Sequence, residues 1–295
     1  MRSPARGRAS WAVVGVTAIW GVTFPLNERA LGSLGPVELT FGRFSVAALV
    51  LWVLALARGH RIDRRSVVAG LASGLALFGG YLTQIEGQRY VSPTIAGFLT
   101  GLSVVVVPIF VMALGRRPSA RQLVGIVLAA LALVVLSAPR GHASFVGIGL
   151  ELACAGFFGA QIVVLEELGS PGDAMVTAAL QMTTIAAATV VAAPLVGAGL
   201  VPTHLTPIAV TAIVYDGVLA SALAFVVQAW ALAHADSVQI SVIYAAEPLF
   251  AALASLAFGY ASLGLPVVVG GLLALAAMVL ASVPPAAARS SDPTG

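Results

Sequence analysis

Apolar residues fill this chain in long runs, and the polar residues gather in the short gaps between them. Breaking it at charge clusters and Pro/Gly punctuation gives ten candidate spans, near 11–30, 36–57, 66–86, 93–115, 121–137, 145–166, 174–196, 207–229, 237–259 and 263–283. Each lies close to the 17–25 residues that cross a bilayer as a helix. The pattern therefore predicts an all-α integral membrane protein of ten transmembrane helices. The first run follows a basic start, MRSPARGRAS, as a signal peptide would. Its length suits a spanning helix better than an h-region of 7–15 residues. The connections leave no room for a domain outside the membrane, and the end PPAAARSSDPTG reads as a disordered terminus.

Composition supports the same class. Of 295 residues, 59% are hydrophobic and 9% charged, whereas a soluble domain carries about 25% charged residues. Every basic side chain other than histidine is an arginine. They sit in short loops rather than along a stripe, so no nucleic-acid partner is expected. The lone cysteine, Cys154, lies in an apolar run with no disulfide or metal partner and reads as a packing residue.

The arginines orient the spans. Arg2, Arg6 and Arg8 precede the first, and Arg58, Arg61, Arg64 and Arg65 separate the second and third. Arg116, Arg117 and Arg121 lie between the fourth and fifth, and Arg289 follows the tenth. With ten spans these all fall on one side, which the positive-inside rule makes cytoplasmic, with both termini. Arg29, Arg89 and Arg140 fall opposite, and Arg43 falls within span two.

A shift of 145 residues places Ser92 on Ser237, Ile95 on Ile240, Gly125 on Gly270 and Ser137 on Ser282, and carries spans four and five onto nine and ten. Identities alone mean little in a chain rich in Ala, Leu and Val. The spacing adds the weight: two five-span halves would sit inverted in the membrane, the arrangement of alternating-access transporters.

Several stretches resemble the drug/metabolite transporter superfamily, and its EamA-like branch most closely. They are AIWGVTFPLNERAL, RFSVAALVLW, GYLTQIEGQRYVSPTIAGFLTGL, and YAAEPLFAALAS followed by GGLLALAAMVLAS. The resemblance implies two inverted five-helix repeats, expected over 11–140 and 145–283, between cytoplasmic tails at 1–10 and 284–295. It also implies a central cavity and export of amino acids, other small metabolites or drug-like compounds across the inner membrane. Relatives carry a glutamate after glycine at the ends of helices four and nine, where this chain reads Gly115-Arg116 and Gly259-Tyr260.

Ionisable residues at membrane depth are candidate functional groups. Here they are Arg43, Asp216 and Glu247, with Glu86 and Glu151 nearer the outer surface. Glu247 reads as a proton-coupling or amine-binding carboxylate, or as an acid hydrogen-bonded within the bundle. Pro248 supplies no N–H, so the Tyr244 carbonyl loses its partner and the helix is expected to bend. Ser237, Tyr244 and Glu247 share one helical face. Arg43 pairs with Glu38, Asp216 or Glu247, or anchors a substrate carboxylate. Tyr81, Gln84 and Gln88 form a polar stripe on span three, and Trp20 lies too deep for an interfacial tryptophan. Gln161 and Gln228 read as packing hydrogen bonders. Gly70 and Gly74 make a small-xxx-small pair expected to pack helices within one chain.

No enzyme motif is present: the chain has no HExxH, no GxSxG and no phosphate-binding glycine loop with lysine. Asp216 has no second aspartate at membrane depth, which disfavours an intramembrane aspartyl protease. The histidines are scattered at span ends, and no metal or cofactor is expected. The sequence thus reads as a secondary transporter of a small molecule, not an enzyme, with lipid and possible coupling protons as partners and a monomeric or homodimeric state. A membrane-embedded enzyme and a non-transporting subunit are the alternatives.

Overall fold

A computed structural model describes residues 4–87, 90–91, 96, 99–136, 144–169, 174–258 and 264–282. Arg2, Gln88, Arg89, Ser92, Ile95, Ser137, Arg140, the Gly259-Tyr260 pair, Arg289 and the 284–295 tail lie outside the described residues.

The described chain is helical, with no β-strand among its residues. In order, α1 runs Pro4–Ala30, α2 Pro36–Ala57, α3 Arg64–Gly87, α4 Ser103–Ala113 and α5 Ala120–Leu136. The second half follows with α6 Phe145–Leu168, α7 Ala174–Ala192, α8 Pro207–Leu232, α9 Ser237–Ala257 and α10 Leu265–Ser282. Seven of these are long and apolar enough to cross a membrane, and α4, α5 and α10 are shorter apolar helices. Helix α1 begins at Pro4, seven residues before the expected span, and Ala9 and Ser10 are already buried. The Ser10 hydroxyl accepts a 2.7 Å bond from Gln239 of α9, which ties this first turn into the bundle.

The surface is inverted relative to a soluble protein. Leu49, Leu56, Leu75, Val127, Leu272 and Val279 are exposed, while Arg43, Glu151, Gln161, Gln181, Asp216, Gln228 and Gln239 are buried. Water would make so broad an apolar exterior unstable. Hydrocarbon makes it the favoured outer face, and the polar groups then turn inward to one another.

The two halves pack through exchange-related contacts. Swapping them turns the α3–α6 interface into α8–α1, α3–α7 into α8–α2, and α4–α6 into α9–α1, all of which are present. The α2–α7, α4–α9 and α5–α10 contacts map onto themselves. Small residues bring the helices close. A Cβ on Gly70 would lie 2.4 Å from the Leu180 Cβ, and one on Gly74 would lie 2.8 Å from the Thr184 Cβ, so this pair packs α3 on α7 within the chain.

Gly21 is tighter still. A Cβ there would meet the Phe250 Cβ at 2.5 Å and the Ala251 N at 2.7 Å. Backbone cannot swing aside as a side-chain tip does, so Gly21→Ala must separate α1 from α9. The expected loss is about 1–3 kcal/mol, read as a lower unfolding midpoint in detergent. Gly15→Ala is the control, because its added methyl meets nothing within 4 Å; equal effects of the two would refute the close-approach argument.

Candidate functional site

The site is built where two helices depart from regular α geometry. Helix α8 is α-helical over Pro207–Gly217, passes through a π-helical turn at Val218–Leu223, and resumes as α-helix over Ala224–Leu232. The wider turn changes which side chains share a face. It brings Ser221 round to the side of Asp216, although five residues separate them. It also leaves backbone groups to be satisfied from outside, and the Trp20 indole N–H donates to the Ala220 carbonyl at 2.7 Å.

Helix α9 is two helices rather than one bent one. Ser237–Tyr244 ends at a turn over Ala245–Ala246, and Glu247–Ala257 starts afresh. Sequence reasoning put a bend at Pro248. The structure instead places Pro248 in the first turn of the new helix, where its missing N–H has no intrahelical role. The break falls just upstream, where no donor remains for the Tyr244 carbonyl. Helix α4 has a counterpart: its chain turns at Leu102 before Ser103. Moved by 145 residues, Leu102 falls at Glu247, beside the α9 break.

Arg43 projects from α2 into this region. Its Nη1 lies 3.4 Å from Asp216 Oδ2. Its Nε and Nη2 donate to Ser221 Oγ at 3.2 and 3.1 Å. The guanidinium carbon sits 4.9 Å from the Phe44 ring centroid and 5.3 Å from that of Tyr81, within cation–π range. Glu38, one of the three expected partners, does other work: it accepts the Gly35 N–H at 2.7 Å and closes the start of α2. Gly217 lets the two helices meet, since a Cβ there would lie 3.0 Å from the Arg43 carbonyl oxygen.

Aromatic rings wall the space. Tyr81 contacts Phe44 and Phe158 edge-on at 4.8 and 5.3 Å between centroids. Trp20 contacts Tyr244 at 4.8 Å and Phe225 at 5.7 Å. Glu247 faces Arg43, Tyr81 and Tyr244 electrostatically, but no ion pair joins it to another described residue. It is densely surrounded yet keeps accessible surface, as do Trp20 and Tyr81. Such groups line an internal space rather than fill a core. The site therefore holds one guanidinium and two carboxyls, and the pairing of Arg43 with Asp216 leaves Glu247 without a counter-charge in contact.

Three of the polar residues that stand out in the sequence make contacts away from the guanidinium. Gln84 donates to Thr100 Oγ1 at 3.3 Å. Gln161 donates to Gln228 Oε1 at 2.9 Å, a buried strut between α6 and α8. Ser221, Phe44, Phe158 and Phe225 join the site without having been singled out, because an isolated serine or phenylalanine in an apolar run carries no signal until the partner helix is known. Among the described residues no cluster of three or more His, Cys, Asp or Glu could hold a metal ion.

At one end of the bundle, Arg116 donates to both Glu166 oxygens at 2.7 and 3.1 Å and to Glu167 Oε1 at 2.5 Å. Hydrogen bonding to Glu166 and then to Glu167 holds the guanidinium well above its ordinary value. The position where the resemblance expects a glutamate thus carries an arginine that crosses between the halves. Gly115 before it turns the chain at a φ of 79°, a conformation that favours glycine.

A helical bundle of two like halves, exposed apolar outside and polar at an inner site between broken helices, defines a polytopic membrane protein. The chain belongs to the EamA-like transporter family, whose model matches residues 8–138 and again 145–283. Among curated proteins it is 35% identical over 152 residues to an uncharacterized transporter of Archaeoglobus fulgidus, across 51% of this chain and 46% of that protein. It is 26% identical over 191 residues to the uncharacterized transporter YvbV of Bacillus subtilis, across 62% of each. The chain thus spans less than two thirds of the length of either relative. A crystal structure of a protein 20% identical superposes with a TM-score of 0.78, covering 93% of this chain and 96% of that one, and shares the fold.

Proposed function

We propose that this protein is a secondary transporter that exports a small amphipathic metabolite, an amino acid or a drug-like amine, across the inner membrane by alternating access. Glu247 carries the reading. It is an acid that contacts no cation among the described residues, at the start of a half-helix, within electrostatic reach of Tyr81 and of Tyr244, which packs on Trp20. Aromatic faces beside an uncompensated carboxylate bind an organic ammonium. A proton can occupy the same carboxyl, so proton and amine compete for it. Interrupted helices at matching places in two halves are where transporters of repeated architecture bind substrate, and α4 and α9 are interrupted in this way. Five helices per half is an odd number, so the halves run in opposite senses through the bilayer. The arginine-rich loops put both termini in the cytoplasm.

Arg43 and Asp216 set the floor of the site rather than bind. Each neutralises the other in the absence of substrate, and Ser221 holds the guanidinium in place. The test is flux. Purified full-length protein in proteoliposomes, offered a panel of radiolabelled amino acids and fluorescent organic amines, is expected to move at least one of them above protein-free vesicles. Absence of flux for the whole panel, with chemical conversion of a lipid-soluble compound instead, would overturn the reading in favour of an enzyme.

A further inference from the structure

A second carboxyl lies inside the bundle, apart from the Arg43 site. Glu151, on α6 about 9 Å along the axis from the helix start at 1.5 Å per residue, is 0% exposed. Thr100 Oγ1 donates to its Oε2 at 3.1 Å. The same Thr100 accepts from Gln84 Nε2 at 3.3 Å and lies 3.9 Å from Cys154 Sγ. Glu151 Oε1 is buried with no hydrogen-bond partner. Gly87 leaves that oxygen its room: a Cβ at residue 87 would lie 2.9 Å from it.

This geometry suits an acid that can hold a proton. A permanently ionised carboxylate at this burial needs a cation, and among the described residues no arginine pairs with Glu151. A permanently neutral structural acid uses its O–H on an acceptor, because an unsatisfied buried polar group costs about 1–3 kcal/mol. Thr100 supplies that acceptor: its hydroxyl donates to an ionised Oε2 and can turn to accept from an Oε2–H at the same 3.1 Å. Among the described residues the neighbouring titratable groups are few. Cys154 lies on α6 itself, Tyr81 and the half-exposed Glu86 lie on α3, and α9 contributes Glu247. Cys154 feels both Glu151 and Glu247 electrostatically, so the thiol lies near enough to each carboxyl to sense its charge.

We propose that Glu151 is a second proton-binding site, adjoining the Glu247 site through Thr100 and Cys154. On loading, Oε2 forms an O–H bond with a proton taken from hydronium, leaving water, and donates that bond to Thr100 Oγ1. On release the same proton returns to water, and no electrons are exchanged. Thr100 is a positioning residue that donates to Oε2 when the acid is ionised and accepts from it when the acid is protonated. A role in coupling rests on the transporter reading above; proton binding itself does not, and the test reads binding alone.

The experiment is pH-difference infrared spectroscopy on the full-length protein in proteoliposomes without substrate. In the unmodified protein the protonated-carboxyl carbonyl region is expected to contain one component that Glu151→Gln removes and Glu247→Gln retains. Thr100→Val is expected to keep that component and shift it to higher frequency, through loss of the hydrogen bond to the threonine hydroxyl. A Glu151→Gln spectrum that superposes on the unmodified one overturns the proposal. If Glu151→Gln does not fold, the Thr100→Val spectrum decides: an unshifted region overturns it equally. Both readouts stand even if no solute is transported, so failure here is distinct from failure of the flux test.

Discussion

Arg43→Ala is expected to destabilise the folded protein by about 3–5 kcal/mol, the usual cost of removing one partner of a buried ion pair. Asp216 is 0% exposed and Arg43 8%, so water does not replace the lost guanidinium. Ser221 Oγ cannot substitute, because a hydroxyl carries no charge. Asp216→Asn is expected to cost less, since an amide tolerates burial better than an unpaired carboxylate. The paired change Arg43→Met with Asp216→Leu is expected to recover most of the single-variant loss, because well-packed apolar side chains often match a buried ion pair in stability. A double-mutant cycle by equilibrium unfolding in mixed micelles measures the coupling. Single and double variants within about 1 kcal/mol of the unmodified protein would mean that the 3.4 Å contact contributes little.

Much of the architecture was legible as spacing. Ten apolar runs of bilayer length, separated by arginine clusters, correspond to ten helices among the described residues, and the 145-residue shift carries the α4 turn to the α9 break. The site was legible only in part. Arg43, Asp216 and Glu247 stand out because charge at membrane depth is costly, but composition left three acids open as partners of Arg43. Choosing among them required knowing that Glu38 is consumed by the Gly35 N–H. The π turn in α8 was not legible at all. Regular α periodicity sets Ser221 off the face of Asp216, and only the wider turn reunites them around the guanidinium. Gln84 illustrates the opposite failure. Its helical spacing from Tyr81 puts both on one stripe, yet the longer reach of its amide ends on Thr100 instead. Sequence periodicity reports the face of a helix; the partner on that face is a property of the neighbouring helix.

Glu247→Gln is expected to leave the fold intact and to reduce transport under an imposed pH gradient to the level seen without one. The glutamine keeps the shape and hydrogen-bonding capacity of the side chain but cannot bind or release a proton. Its position makes this separable from stability: no cation among the described residues contacts Glu247, so neutralising it strands no charge there, unlike neutralising Arg43. Asp216 cannot take over, because it is already committed to the guanidinium. The measurement is solute flux in proteoliposomes at several internal and external pH values, beside a thermal melt of the same preparation. Unchanged pH dependence in Glu247→Gln, with an unchanged melt, would show that this carboxyl does not couple, and would leave Glu151 as the acid to test next. Loss of pH dependence with flux retained at zero gradient would separate coupling from binding, since a residue needed only to hold the amine would abolish both.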